Sequence, residues 1–307
     1  MILVLGSTGF LGSNVCQLLD KNGVEYAGAS LSTGVDLRKH VDVDELFGAI
    51  KPSVVINCAS YVGGLQFGLA HPTELFTNNL KMALNIYQAL EKHSIPKIIN
   101  PISNCTYPGS ASLFKVDEWW DGPMHDSVLI YGFTKKALWV ASQAYKAEFG
   151  IISNNIILPN MYGIGDHKDE LRAHALGALI TKFVKAKVEG NSQVIVWGTG
   201  TPVREWLNVL DGAQALIRSI PIELGQDPIN IGRGEGISIK DLAYKIREIV
   251  DVDCEIFFDL TKPDGAPIKT IDGATGTSKL GWSPEIDLDI GLRDTISSYL
   301  KEVSAKN

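Results

Sequence analysis

The feature that most constrains this chain is a glycine-rich turn near its amino end. An apolar run at residues 2–5 leads into Gly6, Gly9 and Gly12, and a helical pattern extends from Phe10 to about Lys21. Glycines at this spacing between a strand and a helix permit a tight turn, close approach of the backbone to a pyrophosphate, and close packing of helix on strand. The amino end of the helix then faces the phosphates. The pattern predicts a dinucleotide-binding domain.

Short apolar strands alternate with helical patterns over about the first 160 residues. Strands are predicted at 2–5, 25–29, 54–56, 97–102 and 155–158, and helices at 10–21, 42–50, 72–92 and 131–149. Buried strands joined by helices form right-handed βαβ units and a parallel sheet. We therefore predict an α/β fold with a Rossmann-type doubly wound parallel sheet.

The alternation becomes irregular after Tyr162. Helical patterns occur at 173–187, 211–219, 238–250 and 289–301, and strand patterns at 193–197, 206–210 and 229–231. We expect a second, smaller α/β domain that binds the substrate. The predicted boundaries are residues 1–163 plus about 205–232 for the dinucleotide-binding domain, and about 164–204 plus 233–307 for the smaller one.

Composition restricts the partners. The chain has 28 basic and 35 acidic residues and a net charge of −7, which disfavours nucleic acid or an anionic membrane as the main partner. The longest uncharged stretch, between Lys51 and Glu74, contains Asn57, Gln66, His71, two prolines and three glycines. That composition is wrong for a membrane span.

The four cysteines indicate a reducing compartment. Cys16, Cys58, Cys105 and Cys254 form no C-x-x-C pair and accompany no histidine cluster, so neither a metal site nor a disulfide framework is expected. The amino end lacks the basic segment of a signal peptide. We expect a cytoplasmic protein.

The end of the second strand indicates the cofactor. An acidic residue there would bind the ribose 2′-hydroxyl of NAD, but the chain has Ser30, and Asp36 comes too late to replace it. Hydroxyl groups can bind a 2′-phosphate by donating hydrogen bonds to it, and Arg38 is near enough in sequence to assist. The pattern favours NADP(H).

A tyrosine and a lysine four residues apart suggest acid–base chemistry. Tyr131 and Lys135 share one face at the start of a helix, and Ser103 follows the strand before it. A phenol is a poor catalyst at neutral pH unless an ammonium lowers its pKa, which is the role expected of Lys135. On a glycine-turn α/β domain, these three residues resemble the extended short-chain dehydrogenase/reductase superfamily.

Longer motifs narrow the resemblance to the GDP-L-fucose synthase family, also named GDP-4-keto-6-deoxy-D-mannose 3,5-epimerase-4-reductase. They span nearly the whole chain and comprise residues 62–64, 103–108, 160–163, 197–205, 262–265 and 280–282. The resemblance implies an enzyme that epimerises C3 and C5 of a GDP-4-keto-6-deoxy sugar and reduces its C4 ketone with NADPH. It also implies a homodimer formed through the helices at 72–92 and 131–149.

The resemblance also assigns roles. Cys105 would remove the protons at C3 and C5, and His174 would return protons on the opposite face. The catalytic residues implied are Ser103, Cys105, Tyr131, Lys135 and His174. The cofactor residues are Gly6, Thr8, Gly9, Phe10, Leu11, Gly12, Ser30, Asp36, Leu37, Ala59, Tyr131, Lys135, Pro159 and Asn160, and the substrate residues are Asn160, Lys182, Trp197, Arg204 and Lys262. Of these, Arg204 suits bidentate binding of a diphosphate.

The chain departs from the family pattern around the sugar and the cofactor. The departures are Tyr61 for Lys, Ile102 for Gly, Asn104 for Ser, Gly165 for His and Ile268 for Arg. They leave open a 4-epimerase or 4-ketoreductase of another 4-keto nucleotide sugar, such as a dideoxy sugar or heptose. A redox-sensing regulator that binds NADP(H) without turnover is a third reading, disfavoured by Tyr131 and Lys135.

Overall fold

A computed structural model describes residues 1–166 and 175–304. In these ranges the α-helices are α1 (Phe10–Lys21), α2 (His40–Ile50), α3 (Leu65–Ala70), α4 (Pro72–Lys92), α5 (Leu129–Phe149), α6 (Ala175–Glu189), α7 (Val209–Arg218), α8 (Ile239–Val250), α9 (Ala274–Leu280) and α10 (Leu288–Ser304). The strands are β1 (Ile2–Leu5), β2 (Tyr26–Ala29), β3 (Val54–Asn57), β4 (Lys97–Ser103), β5 (Ile152–Leu158), β6 (Asn160–Tyr162), β7 (Gln193–Trp197), β8 (Val203–Arg204), β9 (Trp206–Asn208), β10 (Ile229–Asn230), β11 (Ile237–Ser238), β12 (Glu255–Asp259) and β13 (Ile268–Lys269).

Six strands form one parallel sheet in the order β10-β5-β4-β3-β1-β2. Successive side chains of a strand point to opposite faces, and β1 shows the consequence. Leu3 and Leu5 enter one buried cluster with α2, α4 and α5, whereas Ile2 and Val4 enter another with α1 and α7. Helices thus cover both faces, and the predicted doubly wound α/β fold is confirmed.

A third buried cluster lies in the second half of the chain. It joins α6, α8 and α10 to β7, with Phe183, Ile246 and Ile296 among its fully buried members. β7 pairs in parallel with β12, while β8 lies between antiparallel β11 and parallel β13. This separate cluster is compatible with a smaller domain, and the domain boundaries stay a prediction.

Some elements differ from the sequence prediction. The short helix α3 was not predicted, and β5 begins at Ile152 rather than at residue 155. The strand predicted for 206–210 ends at Asn208, because its side chain accepts a hydrogen bond from the Leu210 amide at 3.0 Å and starts α7. Among the described residues, none of the helices has both the length and the apolar character needed to cross a membrane.

Candidate active site

The glycine turn is packed so tightly that it excludes side chains. Gly6 has φ +72°, and a Cβ on it would lie 2.8 Å from the backbone of Ala59. A Cβ on Gly12 would lie 2.1 Å from the Gly6 carbonyl oxygen. The Gly9 amide donates to that same oxygen at 2.9 Å, and α1 begins directly afterwards with no described side chain capping it. The backbone at the start of α1 therefore has the geometry that fits a pyrophosphate.

Three hydroxyl groups meet at the end of β2. Thr8 Oγ1 lies 3.0 Å from Ser30 Oγ and 2.7 Å from Ser32 Oγ. Asp36 instead pairs with Arg38, whose guanidinium donates at 2.7 and 2.8 Å and holds the pKa of that carboxyl below its usual range. Leu37 is buried in the core. The hydroxyl cluster, rather than a carboxylate, lies next to the glycine turn, as a 2′-phosphate site requires.

Tyr131 and Lys135 project from the first two turns of α5. The Lys135 ammonium lies 5.8 Å from the centre of the Tyr131 ring and donates to the Pro101 carbonyl oxygen at 3.4 Å. Burial lowers the pKa of Lys135 to about 8. Burial also raises the pKa of Tyr131, so the expected lowering by Lys135 is not seen in this structure. A phenol in this state is a proton donor at neutral pH.

A second hydroxyl contacts Tyr131. The Ser60 Oγ lies 3.2 Å from the Tyr131 hydroxyl oxygen and donates to Asn79 Oδ1 at 3.3 Å. Asn79 in turn accepts from the Tyr61 amide at 3.0 Å and donates to the Tyr61 carbonyl at 2.8 Å. This network fixes Ser60 beside the phenol. This contact was not predicted from the sequence, because it joins segments 71 residues apart.

Ser103 and Cys105 lie at the carboxyl end of β4. Ser103 is the last residue of the strand, and its Oγ accepts from the Cys105 amide at 3.2 Å at the start of a single 3₁₀ turn. That bond holds the two side chains on one short segment. The buried Lys269 donates from its Nζ to the Cys105 sulfur at 3.4 Å. Lys269 was not among the predicted site residues.

Basic and aromatic groups gather at the other end of the site. The Trp197 ring has the Lys182 Nζ 5.3 Å and the Lys262 Nζ 5.6 Å from its centre. Arg204 donates to the Val203 carbonyl at 2.8 Å and to the Asp264 carbonyl at 3.3 Å, and burial lowers its pKa. The arrangement offers cations for a diphosphate and a ring for a nucleobase.

A cavity of about 880 Å³ connects Tyr131, the end of β4 and the basic end of the site. Thr8, Ser30 and Lys262 are not among the residues that line it. The predicted site residues that line it are Gly9, Phe10, Leu11, Ser103, Cys105, Tyr131, Lys135, Pro159, Asn160, Lys182, Trp197 and Arg204, and Lys269 lines it as well. Asn160 also donates to the Glu205 carbonyl at 3.3 Å. His174 lies outside the described residues. Within the described part, no group of His, Cys, Asp and Glu could hold a metal ion.

The family model for the NAD dependent epimerase/dehydratase family matches residues 2–232. The chain belongs to this family. A relative from Arabidopsis thaliana, GDP-L-fucose synthase 1, is 32% identical, and the match covers 98% of this chain and 94% of the relative. Within the family, the resemblance drawn from the sequence motifs is thereby confirmed.

Two solved structures share the fold. A GDP-6-OMe-4-keto-L-xylo-heptose reductase from C. jejuni superposes with a TM-score of 0.91 at 24% identity, over 98% of this chain and 97% of that one. A GDP-L-fucose synthetase from Naegleria fowleri bound to NADP gives a TM-score of 0.88 at 24% identity, over 99% of this chain and 94% of that one. At 24% identity, the similarity shows a shared fold and nothing about function.

Proposed function

We propose that this chain is an NADPH-dependent epimerase and reductase that inverts C3 and C5 of a GDP-4-keto-6-deoxy sugar and reduces its C4 ketone. One observation carries the proposal. One cavity is lined by Tyr131, Ser103, Cys105 and Arg204. The relative named GDP-L-fucose synthase supports the choice of sugar and nucleotide.

The residues of the glycine turn fit NADP(H). The backbone from Gly9 onward would bind the pyrophosphate, and the hydroxyl groups of Thr8 and Ser30 would bind the 2′-phosphate. When bound, NADPH supplies the hydride for C4. Lys135 would bind the ribose hydroxyls, because its ammonium is the buried cation that lies next to Tyr131.

The reduction step needs a proton donor at the C4 oxygen. Tyr131 would supply that proton, since burial keeps its hydroxyl protonated at neutral pH. Ser103 would donate a hydrogen bond to the same oxygen from the end of β4. Ser60 lies on the phenol and would fix its orientation.

The epimerisation step needs a base beside the sugar ring. Protons at C3 and C5 are acidic because the neighbouring ketone stabilises the enolate. The Cys105 sulfur would take the proton, and the electron pair of the C–H bond would pass to the ketone oxygen. His174 is the proposed acid for the opposite face.

The basic end of the cavity would bind the nucleotide. Arg204 would bind the diphosphate, because its guanidinium can donate two parallel hydrogen bonds. Trp197 would stack on the base, with Lys182 and Lys262 beside its ring. Asn160 would contact both the cofactor and the sugar, at the junction between them.

A turnover screen tests the proposal. Purified protein is incubated with 4-keto GDP-, dTDP-, UDP- and CDP-sugars, each with NADPH or NADH, and cofactor oxidation is followed. We expect GDP-4-keto-6-deoxymannose with NADPH to be the best pair. Absence of turnover with every 4-keto sugar would contradict the proposal.

A second candidate is a 4-ketoreductase of another nucleotide sugar that does not epimerise. One observation favours it. Tyr61, which lines the cavity, donates to Glu74 at 2.5 Å where the family pattern has a lysine. Assigning the product's configuration at C3 and C5 by NMR separates the candidates, because a plain reductase leaves both centres unchanged.

We also propose that the protein forms a homodimer. Helices α4 and α5 present an apolar face on which the rings of Phe76 and Phe133, 40% and 49% exposed, lie 6.3 Å apart. Light scattering on Phe133→Asp should report a monomer. Leu260→Asp, on a 72% exposed side chain elsewhere, should remain a dimer, and a monomeric wild type would contradict the assignment.

Cytoplasmic location is proposed as well. The four cysteines are all free thiols in the structure. Cell fractionation should recover the protein with cytoplasmic markers. Recovery with an exported or membrane fraction would contradict this.

A further inference from the structure

The Lys269 side chain is an unusual feature of the cavity wall. It is only 7% exposed, and its Nζ donates to the Cys105 sulfur at 3.4 Å. Within residues 1–166 and 175–304, that sulfur is the one hydrogen-bond partner of the ammonium. A buried ammonium is costly unless a strong acceptor compensates it. A neutral thiol is a weak acceptor, whereas a thiolate is a strong one.

The backbone around Lys269 is fixed from several sides. β13 pairs in parallel with β8, which sets Lys269 opposite Arg204. The Glu205 amide donates to the Lys269 carbonyl at 2.9 Å. The Glu205 carboxylate accepts from the Ile271 amide at 2.8 Å and from the Arg233 amide at 2.6 Å. A lysine is normally a flexible side chain, but this one extends from a strand anchored on both sides.

The Asp264 carboxylate lines the same cavity, but it accepts from the Thr199 amide at 2.7 Å and from the Thr199 hydroxyl at 2.9 Å. The Arg204 guanidinium and the Cys105 sulfur interact electrostatically, and the Tyr131 phenol is uncharged at neutral pH. The carboxylate of Glu205 is directed at backbone amides rather than at the sulfur. The sulfur is therefore in contact with one cation, Lys269, and interacts electrostatically with a second, Arg204.

We infer that Lys269 is a positioning residue whose ammonium holds the Cys105 sulfur at the cavity wall and stabilises negative charge on it, so that the sulfur acts as the base of the epimerisation. The inference rests on the proposed function, since it concerns the same step. The ammonium keeps its own proton throughout. The sulfur gains the proton from carbon, and the electron pair of the broken C–H bond moves to the ketone oxygen. Lys269 thus acts through Cys105.

The first test uses alkylation of Cys105, which needs no sugar substrate. Iodoacetamide labelling from pH 6 to 9 is followed by mass spectrometry of the Cys105 peptide. We expect Lys269→Met to label about tenfold more slowly at pH 7 and to shift the pH profile upward by about one unit. Lys269→Arg, which keeps the charge, should stay close to wild type, as should Lys81→Met on the exposed face of α4.

Three outcomes would overturn the inference. One is a K269M protein that labels at the wild-type rate. Another is a K269R protein as slow as K269M, because that would indicate packing rather than charge. The third needs only the wild type: a Cys105 whose labelling has the same pH profile as free glutathione. NADPH binding and melting temperature establish that each variant is folded.

A second readout separates this inference from the proposed function. Without NADPH in deuterium oxide, K269M should incorporate deuterium into GDP-4-keto-6-deoxymannose about tenfold more slowly than K269R. Slow labelling of Cys105 in K269M, together with no deuterium incorporation by any variant, would support Lys269 and contradict the epimerase. Equal labelling of Cys105 in all variants, with deuterium incorporation intact, would contradict the role of Lys269 and support the epimerase.

Discussion

The two walls of the cavity are built in different ways. The cofactor wall includes Gly9, Phe10 and Leu11 of the glycine turn, where Gly6 and Gly12 bring backbone atoms within contact distance. The sugar wall gathers Cys105, Arg204 and Lys269 from segments far apart in sequence. The first wall depends on the absence of side chains, and the second depends on the charges that side chains carry.

This difference predicts different responses to substitution. Changes of size should damage the cofactor wall, and changes of charge should damage the sugar wall. Tyr131 lines the same cavity, and removal of its hydroxyl should affect the chemistry without affecting binding at either wall.

The largest effect is expected at Tyr131. Tyr131→Phe removes the proposed proton donor and should lower turnover by about 10²- to 10⁴-fold, with NADPH affinity retained. Spectrophotometric NADPH oxidation measures it. The matched control is Tyr244→Phe on α8, a 40% exposed residue, which should keep wild-type turnover. Unchanged NADPH oxidation in Y131F would show that the catalytic assignment is wrong.

A charge change should affect the sugar wall alone. Arg204→Gln removes charge-assisted hydrogen bonds, each worth about 1.5–3 kcal/mol, so KM for the nucleotide sugar should rise by about 10- to 100-fold. Steady-state kinetics give KM, and fluorescence titration gives the Kd for NADPH, which should not change. Arg293→Gln, at an exposed position of α10, is the control. An equal rise in KM for the nucleotide sugar and in Kd for NADPH would contradict the existence of two separate walls.

A size change should affect the cofactor wall. Gly12→Ala places a Cβ 2.1 Å from the Gly6 carbonyl oxygen, and neither backbone can yield easily. We expect a loss of about 1–3 kcal/mol in the free energy of unfolding and weaker NADPH binding. Gly122→Ala is the control, because its nearest contact would be an ordinary 3.5 Å. A denaturant titration that gives G12A and G122A the same free energy of unfolding would contradict tight packing at Gly12.

The smallest effect is a pH dependence from Lys135. Its pKa is about 8 when folded and near 10.5 when unfolded, so between these values the unfolded chain binds more protons. The free energy of unfolding should therefore rise with pH across this window. Activity should fall as pH rises through about 8, because the ammonium beside Tyr131 is lost.

Denaturation and turnover at pH 7 to 10.5 measure the two opposite trends. Lys135→Met should remove the contribution of Lys135 to the rise in the free energy of unfolding with pH. Lys81→Met should keep the wild-type rise. A slope unchanged in K135M would assign the effect to another group.

The cofactor turn could be predicted from sequence because its geometry is local. Strand, three glycines and helix follow each other within the first 21 residues, and β1 and α1 begin and end where predicted. Motif resemblance likewise placed Ser103, Cys105 and Arg204 in one site, and they do line one cavity.

The remaining features depend on contacts between distant segments. Lys269 contacts a sulfur 164 residues away, and no spacing rule brings that pair together. The raised pKa of Tyr131 comes from burial, which only the packed fold creates. Helix α3 is six residues long and contains a glycine, so its pattern is too short and too weak to predict.

The most direct test of the epimerase–reductase account is solvent exchange at the sugar carbons. The protein is incubated with GDP-4-keto-6-deoxymannose in deuterium oxide without NADPH, and the recovered sugar is examined by mass spectrometry and NMR. The account predicts deuterium at C3 and C5 with wild type and Y131F, and none with Cys105→Ser. A sugar that remains unlabelled with wild-type protein, while NADPH oxidation proceeds normally, would contradict it.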